Sequence, residues 1–101
     1  MLDPALKIKQ IKGYNYEMYY VYVIENEIGE LYYGSTNDLK RRLVEHQSGK
    51  SFATKGHNWI LIYYEAYRNE TDARIREQQI KHNGGTKKHL KNRIVRSRQF
   101  D

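Results

Sequence analysis

The stretch LYYGSTNDLKRRLVEH, residues 31–46, decides how the chain folds. It predicts the end of a strand, a tight turn at Gly34 and a helix over about residues 38–47. Thr36 or Asn37 would cap this helix, because a polar side chain there can accept hydrogen bonds from the first free backbone amides. The stretch therefore indicates a strand, a turn and a helix in close succession.

Two polar side chains lie on the apolar face of this predicted helix. Leu39 and Leu43 are spaced so that both face the core. At about 100° per residue, Arg42 and His46 fall on that same side. A cation and an imidazole are costly to bury alone, so both are expected to have partners.

Length and composition indicate a single small domain. The 101 residues are 30% charged and 13% aromatic, which is typical of a chain that folds around one modest core. The absence of cysteine excludes disulfides and thiolate zinc sites and fits a reducing cytoplasm. We find neither a signal-peptide core nor a run of about 18 apolar residues. We therefore expect a soluble, intracellular, cytoplasmic protein that does not enter a membrane.

Positive charge is concentrated in the last quarter of the chain. The formal net charge is +6; residues 1–77 carry eleven bases and eleven acids, whereas residues 78–101 carry seven bases and one acid. Such a basic segment is suited to polyanions, because each cation that neutralises a phosphate releases counterions. A solvated basic helix that only maintains solubility is the alternative. The candidate nucleic-acid-binding residues are Lys87, Lys88, Lys91, Arg93, Arg96 and Arg98.

Three segments are rich in β-branched and aromatic residues. Residues 19–25 and 31–33 flank a turn at residues 26–30, and this pattern predicts an antiparallel hairpin. Residues 59–67 predict a third strand, which is apolar at both alternating sets of positions. We therefore expect the third strand to be covered on both faces.

Capping residues and glycines predict three helices besides the one at residues 38–47. An Asp-Pro pair and a later glycine indicate a short helix over residues 4–12. Asn69 indicates the cap of a helix over residues 70–82, which would end before a glycine pair. A last helix, over about residues 86–97, would carry the basic side chains.

The predicted order of elements specifies the fold class. Strand, strand, helix, strand, helix and helix give an α+β domain, in which a small three-stranded antiparallel sheet is flanked by helices. We divide the chain into an N-terminal extension at residues 1–17, a core at residues 18–83 and a basic C-terminal helix at residues 84–101.

A carboxylate interrupts the apolar stripe of the helix at residues 70–82. Ala73 and Ile80 face the core at helical spacing, and Glu77 lies between them. An ionised carboxylate buried alone would cost several kcal/mol. Glu77 therefore needs a partner, and the candidates are Arg42, a metal ion or the water of a cleft. A plain ion pair between Glu77 and Arg42 that joins two helices is one interpretation.

Five positions occur in the order and with the spacings of a known family. The matching segments are Tyr20-Val21-Tyr22 and Tyr32-Tyr33-Gly34 on consecutive strands, followed by Arg42, His46 and Glu77 on two helices. Together they resemble the GIY-YIG endonuclease domain over essentially the whole predicted core. Tyr20 stands where the family name has Gly, and Val21 and Tyr33 stand where it has Ile. These exchanges suit a strand and leave the reactive tyrosines in place.

The resemblance implies a metal-dependent DNA endonuclease or nicking enzyme that hydrolyses phosphodiester bonds by in-line attack of water. It implies one catalytic cleft, formed by Tyr22, Tyr32, Arg42, His46 and Glu77. Glu77 would bind the implied cofactor, Mg²⁺ or Mn²⁺. DNA is the implied partner and DNA repair or recombination the implied setting, with RNA as an alternative substrate; the oligomeric state is left open.

The residue types suit this chemistry. The Arg42 guanidinium can donate to two phosphate oxygens as negative charge accumulates on them. One carboxylate is enough to anchor Mg²⁺, which keeps much of its hydration. A Tyr phenol with a pKa near 10 is only about 0.1% ionised at pH 7. Tyr22 can therefore act as the base only if Arg42 or the metal lowers its pKa, or if His46 relays the proton. We assign the base to Tyr22 and the relay or orienting role to His46.

Three further positions bear on the site. Gly34 is assigned a structural role, because a strand end without a Cβ lets the backbone turn sharply and lets a phosphate or a helix approach closely. Ser35 stands where some repair-type members carry Lys, so one phosphate contact is expected to be missing. The Asn that often follows the catalytic Glu in this family corresponds to Asn83 or Asn92.

Two other functions fit the same residues. One is a catalytically silent nucleic-acid-binding module of the same fold, and the other is an interaction domain whose basic tail docks a partner protein. Competent residues at all five key positions argue against the catalytically silent module. Phe52 and Trp59 could stack on bases, although a Trp that opens a strand usually belongs to the core.

Overall fold

The computed structural model describes residues 17–99, which form a three-stranded sheet with three helices packed on it. The α+β class and the small antiparallel sheet are confirmed. The helix predicted at residues 4–12 lies outside the described residues. The elements are β1 (Tyr19–Asn26), β2 (Leu31–Thr36), α1 (Leu39–Gln47), β3 (Trp59–Tyr67), α2 (Glu70–His82) and α3 (Gly84–Arg93), with short 3-10 turns at Phe52–Thr54 and Val95–Ser97.

The central strand of the sheet is β1. The strand order is β2-β1-β3, and both neighbours run antiparallel to β1. From Tyr20 to Asn26 every residue of β1 is buried, which suits its β-branched and aromatic sequence. The expectation that β3 is covered on both faces is wrong, because β3 is an edge strand and most of its side chains are only half-buried.

Strand β2 runs further than the sequence predicts. Its residues pair with β1 up to Thr36, which lies opposite Tyr20, so Gly34 is inside the strand and no tight turn occurs there. The α1 cap is consequently later than predicted and is neither Thr36 nor Asn37. Asp38 caps the helix, and its side chain accepts a 3.0 Å hydrogen bond from the Arg41 backbone amide.

The sheet separates two hydrophobic layers. On one face, α2 and α3 pack on the sheet; the buried residues of this layer are Val21, Val23, Tyr33, Ala73, Ile80, Leu90 and Ile94. On the other face lies α1; the buried residues there are Tyr20, Tyr22, Ile24, Leu39 and Trp59. Alternation along β1 and β2 therefore decides which helices each side chain meets. Among residues 17–99, no helix combines the length and the apolar character that a membrane crossing needs.

The two C-terminal helices meet at Asn83. Helix α2 has the bounds predicted from its Asn69 cap. Helix α3 begins at Gly84 and ends at Arg93, earlier than the predicted range of 86–97. The early start of α3 is explained by Asn83. Its side chain accepts a hydrogen bond from the Thr86 amide at 2.9 Å and so caps α3 directly after α2 ends. The glycine pair thus opens a helix and does not form a loop.

A buried ion pair fastens the end of the described chain to the hairpin. Glu25, which is 0% exposed, accepts hydrogen bonds from Arg98 Nε at 2.9 Å and from the Gln99 amide at 2.7 Å. Arg98 also donates to the Gly29 carbonyl at 2.8 Å. Because this guanidinium satisfies a buried carboxylate, Arg98 contributes to the fold, unlike a cation free on the surface.

We expect Arg98→Met to lower the free energy of unfolding by about 3–5 kcal/mol, because the Glu25 carboxylate would remain buried without its cation. Urea denaturation followed by circular dichroism measures this change. The matched control is Arg96→Met, which removes an exposed arginine two residues away. The combined change Glu25→Gln with Arg98→Met should recover much of the loss. Equal stabilities of the Arg98→Met and Arg96→Met proteins would contradict the assignment.

Candidate active site

Four of the five predicted catalytic side chains meet on the α1 face of the sheet. The Tyr22 and Tyr32 rings lie 6.4 Å apart between centroids, and the His46 ring lies 5.7 Å and 4.9 Å from them respectively. Arg42 lies close enough to both phenols for the guanidinium and the phenols to shift one another's pKa values. Two strands and one helix therefore bring two phenols, a guanidinium and an imidazole into mutual contact.

Local structure explains why these four residues converge. Arg42 and His46 are four residues apart on α1, so both project from one side of the helix. Tyr22 pairs with Gly34 across the β1–β2 ladder, and Tyr32 lies two positions earlier on β2 and therefore on the same face. The helix begins soon after β2 ends, and this short connection keeps α1 over the two tyrosines.

The shortest contact in the cluster joins Tyr22 and His46. Tyr22 Oη lies 2.7 Å from His46 Nε2, and both side chains are almost completely buried. Burial raises the pKa of Tyr22 to about 12, although the neighbouring Arg42 guanidinium partly opposes this. Burial and then the positive charge of Arg42 lower the pKa of His46 to about 4. At neutral pH both groups are therefore uncharged. Arg42 alone does not give Tyr22 the lowered pKa that a phenolate base would need.

Arg42 is oriented by an acid on its own helix. Its Nη1 atom lies 3.0 Å from Glu45 Oε1, while Arg41 lies 3.1 Å from the other Glu45 oxygen. Burial by itself would lower the pKa of Arg42, but the hydrogen bond with Glu45 and the neighbouring Tyr22 and Tyr32 phenols raise it. Arg42 is thus a fixed, permanently charged donor at the edge of the phenol cluster.

Glu77 reaches the site from the other face of the sheet. Its carboxylate accepts a hydrogen bond from Ser35 Oγ at 2.8 Å and pairs with Lys81 Nζ at 3.0 Å. The ion pair with Arg42 considered from the sequence is not formed, since Arg42 pairs with Glu45. The Glu77 side chain is 14% exposed, so it keeps a limited contact with solvent.

The edge position of β2 lets groups from both faces of the sheet come together. The ammonium of Lys81, the partner of Glu77, lies 5.9 Å from the centroid of the Tyr32 ring. The Glu77 charge is also close enough to contribute to the raised pKa of Tyr22. Glu77 does not contact the four-residue cluster directly, but it lies beside the cluster, around the outer strand.

A surface cavity of about 400 Å³ opens beside this cluster, between α1 and α2. Its lining comes from the end of β2 and from both helices and includes Ser35, Thr36, Arg41, Arg42, Ala73 and Arg74. Arg42 therefore faces the phenols on one side and open space on the other. The lining also includes Glu45 and Glu70, which pair with these arginines, so three guanidinium groups and two carboxylates leave a small positive excess that suits a phosphate group.

Gly34 owes its role to the Tyr22 ring. A Cβ at this position would lie 2.5 Å from Tyr22 Oη and 2.6 Å from Tyr22 Cζ. Gly34 has no positive φ angle, so the turn expected from the sequence is not the reason for the glycine. The close approach expected there is real, but it is made by the Tyr22 phenol across the strand pair.

We expect Gly34→Ala to destabilise the protein by about 1–3 kcal/mol, because the buried Tyr22 ring has no room to move away from the new methyl group. The same displacement should break the hydrogen bond between Tyr22 and His46. Urea denaturation measures the first effect. The matched control is Gly84→Ala, where a Cβ meets nothing within 4 Å. If both alanine variants were as stable as the wild type, this account of Gly34 would be wrong.

The remaining aromatic and basic candidates occupy different environments. Trp59 is buried and its Nε1 donates to the Thr54 carbonyl at 2.8 Å, so it belongs to the core. Phe52 is 94% exposed. Lys87 lies over the Tyr33 ring, 5.4 Å from its centroid.

Among the other basic candidates, Lys88, Lys91, Arg93 and Arg96 are exposed. Arg98 instead pairs with Glu25. Of the two asparagines considered, Asn83 caps α3, and Asn92 is exposed on α3.

Three side chains make contacts at the site that the sequence analysis did not predict. Lys81 follows Glu77 by four residues on α2, and this spacing alone indicates an ion pair. Ser35 binds Glu77 because it alternates with Gly34 and so faces α2. Thr54 lies 2.8 Å from His46 Nδ1, and no periodic pattern marks a residue in a loop for such a contact.

The donor set around Glu77 fits a hydrated divalent ion. Within residues 17–99, no group of three or more His, Cys, Asp or Glu side chains is placed to hold a metal ion. A single carboxylate is nevertheless suited to Mg²⁺, which keeps several waters and takes further oxygens from phosphates. The Lys81 ammonium neutralises one Glu77 oxygen at 3.0 Å, so that oxygen already attracts a cation. Lys81 is 35% exposed and can turn towards solvent.

Comparison with known proteins identifies the family. A model of the GIY-YIG catalytic domain matches residues 18–94. A UPF0213 protein of Vibrio campbellii is 42% identical over 72 residues, which are 69% of each chain. A UPF0213 protein of Clostridium perfringens is 36% identical over 66 residues, which are 63% of this chain and 71% of the relative. The solution NMR structure of the UPF0213 protein BH0048 from Bacillus halodurans is 33% identical, covers 72% of this chain and 80% of its own, and has a TM-score of 0.47. Since the family model spans both strands and all the helices that carry the cluster, the chain belongs to the GIY-YIG nuclease family, together with these UPF0213 proteins.

Proposed function

We propose that this protein is a metal-dependent endonuclease that cleaves or nicks DNA by hydrolysing phosphodiester bonds. The observation that carries the proposal is the contact of Tyr22, Tyr32, Arg42 and His46 beside a cavity lined by arginines. Arg42 belongs to both the cluster and the cavity, so a phosphate in the cavity would meet the guanidinium that lies beside the phenols. Family membership supports a nucleic acid as the substrate.

Arg42 would stabilise the negative charge that develops on the phosphate in the transition state. Its guanidinium is held by Glu45 and is permanently charged, so it needs little reorganisation when the substrate binds. A planar fork of donors can bond two phosphate oxygens at once, which a lysine in the same place could not do.

Tyr22 and His46 would move the proton of the attacking water. Tyr22 accepts this proton while its own phenolic proton passes along the 2.7 Å contact to His46 Nε2. In the free protein this transfer is unfavourable, because both groups are neutral. The negative charge of a bound phosphate would offset the positive charge of Arg42. This would raise the pKa of His46 and favour the imidazolium. Tyr32, against the His46 ring, would keep bulk water out of this path.

Glu77 would hold a divalent metal ion, Mg²⁺ or Mn²⁺, on the side of β2 opposite to Arg42. When bound, such an ion supplies Lewis-acid stabilisation of phosphate oxygens and a more acidic water. Ser35 fixes the orientation of the carboxylate by its 2.8 Å hydrogen bond. Lys81 would leave Glu77 and turn to the nucleic-acid backbone. It would then supply the lysine–phosphate contact that is missing because this chain has Ser35 where some repair-type members have Lys.

The exposed basic residues of α3 and of the following turn would bind backbone phosphates without reading sequence. This proposal includes Lys87, Lys88, Lys91, Arg93 and Arg96. Arg98 is not included, because its guanidinium bonds with Glu25. Contacts of this kind predict binding that weakens steeply as salt concentration rises.

The proposed function is tested with end-labelled oligonucleotides in Mg²⁺, in Mn²⁺ and in chelator. We expect metal-dependent cleavage of duplex DNA or of a flap or junction, and parallel RNA substrates test the alternative substrate. Salt-sensitive retention on the gel without cleavage of any substrate would instead favour a binding module of the same fold. Neither cleavage nor retention would favour an interaction domain.

A further inference from the structure

A chain of hydrogen bonds continues from the site into the loop before β3. Tyr22 Oη lies 2.7 Å from His46 Nε2, and His46 Nδ1 lies 2.8 Å from Thr54 Oγ1. Thr54 Oγ1 in turn donates to the Ser51 carbonyl oxygen at 3.4 Å. Tyr22, His46 and Thr54 are all buried, so bulk water does not compete for these atoms in the free protein.

The Ser51 carbonyl oxygen, at the end of this series of hydrogen bonds, limits which of the other atoms can donate and which can accept. A carbonyl oxygen can only accept, so the hydrogen bond between Thr54 and Ser51 exists only when the Thr54 hydroxyl donates its proton to Ser51 and not to His46 Nδ1. The hydroxyl oxygen is then left to accept a hydrogen bond from His46 Nδ1–H. A neutral imidazole carries one proton, and with that proton on Nδ1 the other nitrogen, Nε2, has a free lone pair. Nε2 can therefore accept the phenolic proton of Tyr22.

Thr54 is itself held in place by the core. It ends the 3-10 turn Phe52–Thr54, in which its amide donates to the Ser51 carbonyl at 3.2 Å. Its own carbonyl accepts from Trp59 Nε1 at 2.8 Å, and Trp59 is a buried residue at the start of β3. The hydroxyl is thus presented to His46 by a rigid turn.

We propose that Thr54 is a positioning residue of this site, which holds His46 in the tautomer that is protonated on Nδ1 and leaves Nε2 ready to take a proton from Tyr22. Its role in cleavage rests on the proposed function, whereas the tautomer does not. In the opposite tautomer, Nε2–H would donate to Tyr22 Oη, and the phenol could not pass its proton to His46.

Long-range ¹H–¹⁵N NMR of the His46 ring in the wild-type protein tests the tautomer directly. We expect the signals of a neutral ring protonated on Nδ1. Thr54→Val keeps the shape of the side chain and removes the hydroxyl, so it should shift the ring towards the Nε2-protonated form. Thr54→Ser keeps the hydroxyl and should keep the wild-type signals. A wild-type ring protonated on Nε2 would overturn the proposal, whether or not the valine variant folds.

Kinetics on labelled DNA separate positioning from mere structural support. We expect Thr54→Val to lower kcat by roughly 10-fold to 100-fold with KM unchanged, as is common when the partner that orients a functional imidazole is lost. Thr54→Ser should restore most of kcat. An unchanged kcat in a folded Thr54→Val protein would overturn the positioning role. If the wild type carried the Nδ1-protonated ring but cleaved nothing, the proposed function would fail and the tautomer assignment would stand.

Discussion

Glu77→Gln is expected to lower the rate of DNA cleavage by about 10³-fold, because the amide cannot hold a divalent cation as a carboxylate does. The replacement is nearly isosteric, and its remaining oxygen can still accept the hydrogen bond from Ser35. DNA affinity should be unchanged or higher, since a negative charge near the polyanion is removed. Single-turnover cleavage and a gel-shift titration measure the two effects separately.

The matched control for Glu77 lies on the same helix. Asp72 is an exposed carboxylate in the first turn of α2, so Asp72→Asn removes the same charge without touching the site. We expect this control to cleave at the wild-type rate. A folded Glu77→Gln protein that cleaved as fast as Asp72→Asn would show that the metal is not held where we propose.

Arg42→Lys is expected to lower kcat by about 100-fold, although it preserves the positive charge. An ammonium cannot make the two parallel hydrogen bonds that a guanidinium offers to a phosphate, nor can it contact Glu45 and both phenols at once. The loss should appear in kcat more than in KM, because the charge that Arg42 stabilises develops in the transition state.

A neighbouring residue provides the control for Arg42. Arg41 is also an α1 arginine bonded to Glu45 and also lines the cavity, but its other side-chain hydrogen bond is with Asn37 and not with the phenol cluster. We expect Arg41→Lys to change salt sensitivity slightly and to leave kcat near the wild-type value. Equal losses in the two lysine variants would mean that Arg42 only attracts the substrate by its charge.

The parts of the fold that could be predicted are those coded by local pattern. The bounds of β3 and α2 agree with the sequence, because a run of apolar and aromatic residues marks the strand and an Asn cap marks the helix start. The end of β2 could not be predicted in this way. Its glycine resembles a turn residue, and only pairing of the strand with the buried β1 keeps the chain extended through Gly34 to Thr36. Here tertiary packing overrides local propensity.

The candidate site shows the same difference between what local sequence pattern predicts and what tertiary packing determines. Arg42 and His46 could be placed together because helical spacing puts them on one face, and the family resemblance implied that Tyr22 and Tyr32 lie close to them. The partners of Glu77 could not be deduced, since they depend on which face of β2 turns towards α2. The role of Thr54 could not be predicted either, because its contact with His46 depends on the path of an irregular loop.

The edge position of β2 is therefore central to how this small domain forms a site. Phenols and helix α1 occupy one face of the sheet, and the carboxylate on α2 occupies the other. At this outer strand, groups from both faces lie beside the cavity in which we propose that a phosphate binds. Ser35 and Arg42, which line the same cavity, connect the two halves.

Conversion of supercoiled plasmid to nicked circles tests the central claim most directly. We predict that the wild-type protein nicks the plasmid in Mg²⁺ or Mn²⁺, that chelator stops the reaction, and that the Glu77→Gln protein leaves the plasmid intact. A folded wild-type protein that retained DNA but nicked none of it in either metal would contradict the claim, as would nicking that continued unchanged in chelator.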